Sequence, residues 1–97
     1  MNRASPRELR DLADVLDEIR ALPDIVERKS GVFYLRRLPF LHFHTTGPGR
    51  RAHAKIGATW GPEIPIPFGA TARAKAAFLR EVRKRHKATA AARRTSS

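Results

Sequence analysis

The sequence contains no cysteine, which excludes disulfide bridges, thiolate zinc sites and cysteine nucleophiles. It has no uninterrupted apolar run of membrane-spanning length, and the opening residues MNRASPRELRDLADVL lack the apolar core of a signal peptide. A nucleophile elbow of the form Gly-x-Ser-x-Gly and a phosphate-binding glycine loop are also missing. We therefore expect a cytoplasmic protein that carries no standard catalytic signature.

Acidic residues are scarce in most of the chain. Residues 1–30 carry six basic and seven acidic side chains, whereas residues 31–97 carry fourteen basic and only two acidic ones, Glu63 and Glu81. A basic excess of this size favours an anionic partner such as RNA, DNA or another polyanion. The alternative is that arginine simply fills solvent-exposed positions.

The first element that the pattern predicts is a helix over residues 6–21. The tetrapeptide Ser5-Pro6-Arg7-Glu8 combines an N-cap, a proline suited to the first helical position and a capping-box glutamate. Apolar residues then recur at helical spacing on one face: Leu9, Leu12, Leu16 and Ile19.

A β-hairpin is predicted next, within DIVERKSGVFYLRR. Its two-residue turn is Ser30-Gly31, and the resulting pairing places Val26, Phe33 and Leu35 together on the core face. A bend at Leu38-Pro39 follows, because proline cannot donate to a strand ladder.

The stretch LPFLHFHTTGPGRRAHAK is predicted to form a second hairpin, with its turn at residues 47–50. Symmetric pairing around this turn sets His44 opposite His53 and His42 opposite Lys55. The histidines then face outward, because side chains alternate between the two faces of a strand. The residues on the inward face are all apolar: Leu41, Phe43, Ala54 and Ile56.

The proline-rich segment TWGPEIPIPFGAT predicts an extended edge strand. Pro65 and Pro67 lie two residues apart, so both of their missing N–H groups fall on one edge, while Ile64 and Ile66 turn inward. Trp60 is interpreted as an anchor at the core or its rim, with base stacking as the alternative.

From Thr71 the pattern is helical again, in TARAKAAFLREVRKRHKA. The apolar stripe of this helix consists of Ala74, Phe78, Leu79 and Val82. Its remaining faces are basic, at Arg80, Arg83, Lys84, Arg85 and Lys87.

These elements predict a two-layer α+β fold in which an antiparallel meander sheet of four to five short strands carries an N-terminal and a C-terminal helix on one face. Residues 1–5 form an N-terminal extension, residues 6–87 a single domain and residues 88–97 a disordered basic tail. The acidic first helix is expected beside the basic last helix.

The sheet face without helices is the first candidate for a binding surface. Aromatic and cationic side chains on an open sheet bind nucleic acid or phosphorylated ligands through stacking and phosphate contacts. The predicted site consists of Tyr34, Arg36, His42, His44, Arg51, His53 and Lys55, with Phe40 beside them. A secondary basic surface on the last helix consists of Arg80, Arg83, Lys84 and Lys87. The alternative is an ordinary solvated sheet face.

Metal binding at His42, His44 and His53 is a further alternative, since three imidazoles suit zinc or a similar ion. Lys55 opposite His42 argues against it, and the shell lacks a carboxylate unless Glu63 approaches.

The leading hypothesis is thus a small non-catalytic basic domain that needs no cofactor and binds an anionic partner. A hydrolase-like protein, in which histidines serve as acid and base, and a protein-interaction module or homodimer stay open.

The segments VFYLRRLPFLHFH, HAKIG and PIPF resemble a group of small bacterial proteins that carry a domain named luciferase-like. Over residues 26–85 the shared pattern is an aromatic–His–x–His segment after a strand, then an extended segment and a C-terminal helix. The resemblance implies a carboxylate on the strand after the His-x-His segment, where this chain has Ala52-His53-Ala54-Lys55. It implies neither light emission nor a flavin-binding barrel.

Overall fold

The computed structural model describes residues 2–95, which form seven strands and two helices preceded by a short 3₁₀ helix. The strands are β1 (Asn2–Arg3), β2 (Ile25–Lys29), β3 (Val32–Leu35), β4 (Leu38–Thr46), β5 (Gly49–Ile56), β6 (Thr59–Trp60) and β7 (Ile64–Pro65). The 3₁₀ helix spans Arg7–Leu12, and the helices are α1 (Ala13–Arg20) and α2 (Ala72–Thr95). No helix within residues 2–95 is long and apolar enough to cross a membrane.

The strands form one antiparallel sheet in the order β2-β3-β4-β5-β6. Strand β1 lies beside β4 and strand β7 beside β5, which raises the number of strands above the predicted four to five. Both helices pack on one face, where Phe78 of α2 meets Phe43 of β4 with ring centroids 5.7 Å apart. The predicted two-layer α+β fold is confirmed.

The first helical segment begins at the predicted capping box. The backbone N–H of Ser5 donates to Oε1 of Glu8 at 2.9 Å, and the backbone N–H of Glu8 donates to Oγ of Ser5 at 3.2 Å. The segment is 3₁₀ as far as Leu12 and α-helical only from Ala13. Its four predicted core residues, Leu9, Leu12, Leu16 and Ile19, are all buried.

The first hairpin contains the predicted Ser30-Gly31 turn but a different register. A β-bulge at Arg28 shifts the pairing, so that Ile25 takes the place predicted for Val26. Val26 is consequently 49% exposed, and its prediction as a core residue is wrong. At the same turn, the carboxylate of Glu27 accepts the N–H of Gly31 at 2.9 Å, a contact that accompanies the bulge.

The predicted bend at Leu38-Pro39 is also wrong. The connecting turn is Arg36-Arg37, with Arg36 in the left-handed region at φ +59°, and Pro39 lies within β4. A second bulge, at Phe40, then turns that ring toward the helices. Phe40 is fully buried and meets His86 edge-on at 5.9 Å between ring centroids, so it does not belong to the open face.

The central hairpin turns at Gly47-Pro48, which is two residues tighter than predicted. His42 therefore lies opposite His53, and His44 lies opposite Arg51. The predicted cross-strand partners are wrong. The predicted inward face is right for Leu41, Phe43 and Ala54, which are buried, but not for Ile56, which is 45% exposed. A shift of two residues preserves the alternation of side chains, so the histidines remain on the outer face.

The tighter turn brings Arg50 out of the loop and onto the inward face of β5, where its side chain is fully buried. Its guanidinium donates to both carboxylate oxygens of Asp11, at 2.6 and 2.9 Å. It also donates to the carbonyl oxygens of Glu8, Ile66 and Pro67. One side chain thereby joins the 3₁₀ helix, β5 and the segment after β7.

The proline-rich segment is the predicted edge strand. Ile64 and Ile66 are buried, and Pro65 is exposed. Ile64 lies opposite Ala52 of β5, and the backbone N–H of Ile66 donates to the carbonyl of Arg50 at 3.3 Å.

Helix α2 begins after Thr71, whose hydroxyl accepts the N–H of Ala74 at 3.1 Å. The predicted stripe is confirmed: Phe78 and Val82 are buried, and Ala74 and Leu79 are partly buried. The predicted contact between acidic and basic helices is present as two ion pairs. They join Lys75 to Asp14 at 3.2 Å and Arg83 to Glu18 at 3.0 Å.

The end of α2 differs from the predicted disordered tail over residues 88–97. The helix continues to Thr95, and residues 96–97 lie outside the described part of the chain. Thr89 is fully buried, and Arg93 donates to the carbonyl of Leu35 at 2.7 Å. Arg85, predicted on the exposed basic side, is buried instead because carbonyl oxygens at the sheet edge accept its guanidinium.

We expect Arg50→Lys to lower the free energy of unfolding by about 2–4 kcal/mol, since an ammonium cannot reproduce the planar fork that Asp11 and three carbonyls accept. Urea unfolding followed by circular dichroism measures the change. Arg10→Lys, on the exposed side of the 3₁₀ helix, is the matched control and should stay within about 0.5 kcal/mol of the wild type. Equal effects of the two variants would contradict the role assigned to Arg50.

Acid should weaken this interaction through Asp11. The hydrogen bond from Arg50 is the main cause that lowers the pKa of Asp11 from 3.8 to about 2. The unfolded chain therefore takes up this proton first, and the stabilisation is lost as the pH falls from about 4 to about 2. We expect Asp11→Asn to lower the free energy of unfolding by about 1–2 kcal/mol near neutral pH. This value is smaller than the pKa shift alone implies, because the carboxylate is partly exposed and water screens its charge. The difference in the free energy of unfolding between the wild type and this variant should narrow between pH 5 and 2 in urea titrations. A difference that stays constant would contradict the ion pair assigned to Asp11 and Arg50.

Candidate metal centre

Three of the four histidines in the chain converge on the open face of the sheet. His42 and His44 point outward from β4, and His53 points outward from β5. Each ring offers a nitrogen that lies within 4.8 Å of a nitrogen of the other two. The ring centroids are 4.6 Å apart for His44 and His53 and 5.3 Å apart for His42 and His53.

The cross-strand pair of imidazoles has a separation that fits a shared metal ion. Nε2 of His42 lies 3.4 Å from Nδ1 of His53. Two nitrogen ligands at about 2.0–2.1 Å from a tetrahedral zinc ion are themselves about 3.3–3.4 Å apart. The same separation allows one ring to donate a proton to the other, so an ion would replace that proton on binding.

Glu63 lies beside two of these rings. Continuation of the β5–β7 pairing past Ile64 places it next to His53. Its Oε2 is 3.1 Å from Nε2 of His44 and 3.4 Å from Nε2 of His53, while its Oε1 accepts Arg51 at 2.9 Å. The hydrogen bond from Arg51, followed by that from His44, lowers the pKa of Glu63 and keeps the carboxylate ionised at neutral pH.

This carboxylate determines which nitrogen of His44 is free. An ionised carboxylate only accepts hydrogen bonds, so Nε2 of His44 carries a proton, and the lone pair that a metal ion can use is the one on Nδ1. His44 is only 3% exposed. Among the side chains of residues 2–93, its Nδ1 is the one buried nitrogen or oxygen that lacks a hydrogen-bond partner. Metal-binding histidines are commonly oriented by a carboxylate on the other ring nitrogen in this way.

His42 is held in its neutral form. Burial, followed by the neighbouring His53 and His44 and then by Arg3, lowers its pKa from 6.5 to about 4. A neutral imidazole keeps the lone pair that a metal ligand needs, whereas a protonated one cannot bind a cation. This ring is therefore ready to bind a metal ion at neutral pH.

Trp60 and Lys55 form one wall of the cluster. The Trp60 ring centroid lies 5.0 Å from that of His42, and Nζ of Lys55 lies 5.2 Å from the Trp60 ring. Lys55 pairs with Trp60 and not with His42, so its ammonium lies against the indole ring and not directly opposite that imidazole. Trp60 is 44% exposed, as expected for an anchor at the rim.

The structure brings together five of the seven residues predicted for the site: His42, His44, Arg51, His53 and Lys55. The other two interact elsewhere. The Tyr34 ring stacks with the guanidinium of Arg28 at 4.9 Å, and Arg36 lies in the β3–β4 turn, where it pairs with Asp24 at 3.4 Å.

The secondary basic surface lies on α2, in the layer opposite to the histidines. Arg80, Lys84 and Lys87 are exposed, whereas Arg83 pairs with Glu18. A cavity of about 380 Å³ lies next to this surface, lined by Leu22, Pro23, Asp24, Arg36, Arg83, His86, Lys87 and Ala90. The paired charges of Arg36 and Arg83 make this cavity a weaker candidate than the histidine cluster.

The sequence pattern placed neither Glu63 nor Trp60 in the leading site: it offered Glu63 only as a carboxylate that could approach the metal alternative, and Trp60 as an anchor or a stacking platform. The signal for Glu63 lies in the segment EIPI, because inward positions at Ile64 and Ile66 require outward positions at Glu63 and Pro65. No comparable signal exists for Trp60, whose position depends on the β5–β6 turn.

No protein-family model matches this chain, and neither a curated protein nor a solved structure matches it. The resemblance to luciferase-like domains therefore stays a prediction.

We expect His42 to titrate with a midpoint of about 4 in the metal-free protein, which histidine ring resonances in NMR spectra recorded against pH would measure. Between about pH 6.5 and 4 the unfolded chain takes up this proton and the folded chain does not, so this residue weakens the fold in acid. His53→Ala should raise the midpoint, because it removes a nearby charge and part of the burial. A wild-type midpoint near 6.5 would contradict the environment described for His42.

Proposed function

We propose that this protein binds a divalent transition-metal ion through His42, His44 and His53. The observation that carries the proposal is the convergence of one nitrogen from each of three imidazoles, in a cluster where Nδ1 of His44 is buried without a partner. An unsatisfied buried nitrogen costs free energy, and a bound ion would recover it. Glu63 then acts as the outer carboxylate that orients His44.

The composition of the shell indicates the class of ion. Neutral imidazoles without thiolates suit Zn²⁺, and they also suit Cu²⁺ and Ni²⁺. Magnesium and calcium prefer shells built from oxygen ligands, so they fit this site poorly. We therefore expect Zn²⁺ or a chemically similar ion.

The charge state of the cluster itself fits a metal ion as its first ligand, although the ammonium of Lys55 lies beside it against Trp60. The His42 ring is neutral at neutral pH, and the charge of Arg51 is balanced by Glu63. The polyanion hypothesis counted both residues as positive charges on this face. The charge of His42 is thereby absent, and that of Arg51 is compensated. The histidines supply lone pairs instead, which are ligands for metal ions.

We expect the untagged, chelator-treated protein to take up one equivalent of Zn²⁺, and its thermal midpoint to rise, because a ligand bound only to the folded state stabilises it. Isothermal titration calorimetry and elemental analysis measure the stoichiometry. His53→Ala should reduce the affinity by about 100-fold or more, since one of three ligands is lost. Glu63→Ala should reduce it by about 10–100-fold through His44.

The fourth histidine of the chain provides a matched control. His86 lies in the opposite layer, where its Nε2 donates to the carbonyl of Pro23 at 2.8 Å. His86→Gln keeps a side-chain donor at that place and should bind zinc as the wild type does. The proposal is wrong if wild-type protein takes up no stoichiometric zinc, copper or nickel, or if His86→Gln and His53→Ala lose affinity equally.

A further inference from the structure

Two cationic side chains flank the proposed metal site on the same strand. Arg51, His53 and Lys55 occupy three successive outward positions of β5. The side chain of Arg51 is 51% exposed, with one guanidinium nitrogen on Glu63. The ammonium of Lys55 lies against Trp60, whose ring adjoins His42. Cations therefore stand on both sides of the His53 ligand.

Three protein ligands leave a zinc-like ion with at least one coordination position for an external ligand. His42 and His53 are only partly buried, so an external ligand can reach that position from their side of the cluster. A divalent ion adds two positive charges to a site where Glu63 provides the compensating carboxylate. The metal-loaded site thus has an excess of positive charge and attracts an anion.

We propose that the metal-loaded site binds a phosphate group, with one oxygen on the ion and others on Arg51 and Lys55; this inference rests on the proposed metal site. Phosphate suits the arrangement better than a carboxylate because it has enough oxygens to meet an ion, a guanidinium and an ammonium together. The planar guanidinium of Arg51 can hold two of those oxygens. Lys55 acts as a point charge on the side of Trp60.

Glu63 connects the two halves of this site. Its Oε2 contacts His44, and its Oε1 contacts Arg51. One carboxylate thus positions both a metal ligand and an anion-binding side chain. Free phosphate, a phosphate monoester and a nucleic-acid backbone all present the same chemical group, so the experiment must separate these sources.

The test uses the full chain loaded with Co²⁺, whose visible absorption reports the ligands of a zinc-type site. We expect inorganic phosphate to change this absorption saturably at constant ionic strength, and the single tryptophan of the chain to report the same titration by fluorescence. Arg51→Gln with Lys55→Gln should retain one equivalent of Co²⁺ and lose phosphate affinity by about tenfold or more. Arg80→Gln with Lys84→Gln on α2 removes the same charge elsewhere and should leave both affinities unchanged.

The outcomes separate the two proposals. Failure to bind Co²⁺ overturns the proposed function, and the phosphate site falls with it. Binding of Co²⁺ with an absorption spectrum that phosphate does not change overturns the phosphate site alone. Equal losses in the two double variants overturn the assignment to Arg51 and Lys55.

Two further probes identify the source of the phosphate. Phenyl phosphate that binds as well as inorganic phosphate supports a small monoester or free phosphate as the ligand. A single-stranded oligonucleotide that binds more tightly, with an affinity that falls steeply with salt, supports a nucleic-acid backbone.

Discussion

The buried guanidinium of Arg50 is the interaction on which the rest of the structure depends. A buried charge is costly unless its hydrogen bonds are satisfied, and here the partners come from two separate parts of the chain. Asp11 and Glu8 belong to the 3₁₀ helix, while Ile66 and Pro67 follow the last strand. Each segment must therefore take one position relative to β5.

That constraint extends to the histidine cluster on the other face. The carbonyls that Arg50 binds fix the segment after β7, and the pairing of Ile64 with Ala52 fixes β7 itself. Glu63 is the residue just before this strand. If the edge segment were displaced, Glu63 would move away from His44. The contacts of Arg50 on the buried face of the sheet therefore determine the geometry of the histidine cluster on the outer face.

The sequence predicted the layers and faces well because these follow from local periodicity. The helical stripe from Leu9 to Ile19 and the alternation around Phe43 depend only on spacing along the chain. Strand partners were predicted poorly, because they depend on two bulges and on the length of one turn. The bulge at Arg28 involves a carboxylate that folds back onto a turn N–H, and no pattern of apolar residues predicts such a contact.

The residues of the candidate site also divide into those that local alternation predicts and those that depend on contacts between distant segments. The three histidines and two flanking cations follow from alternation on two neighbouring strands. Glu63 and Trp60 lie ten or more residues along the chain from the histidines of β4 that they contact. Their positions in the site therefore depend on tertiary packing. The burial of Arg85 and of Thr89 likewise depends on carbonyl oxygens at the sheet edge that a sequence does not display.

The turn at Gly47-Pro48 limits how the length of this hairpin can vary. An insertion of one residue between His44 and His53 would reverse the faces of one strand relative to the other, and it would turn either the imidazoles or their apolar neighbours the wrong way. An insertion of two residues would restore the faces and displace only the partners. Related hairpins that keep three outward imidazoles are thus expected to differ in length by even numbers of residues.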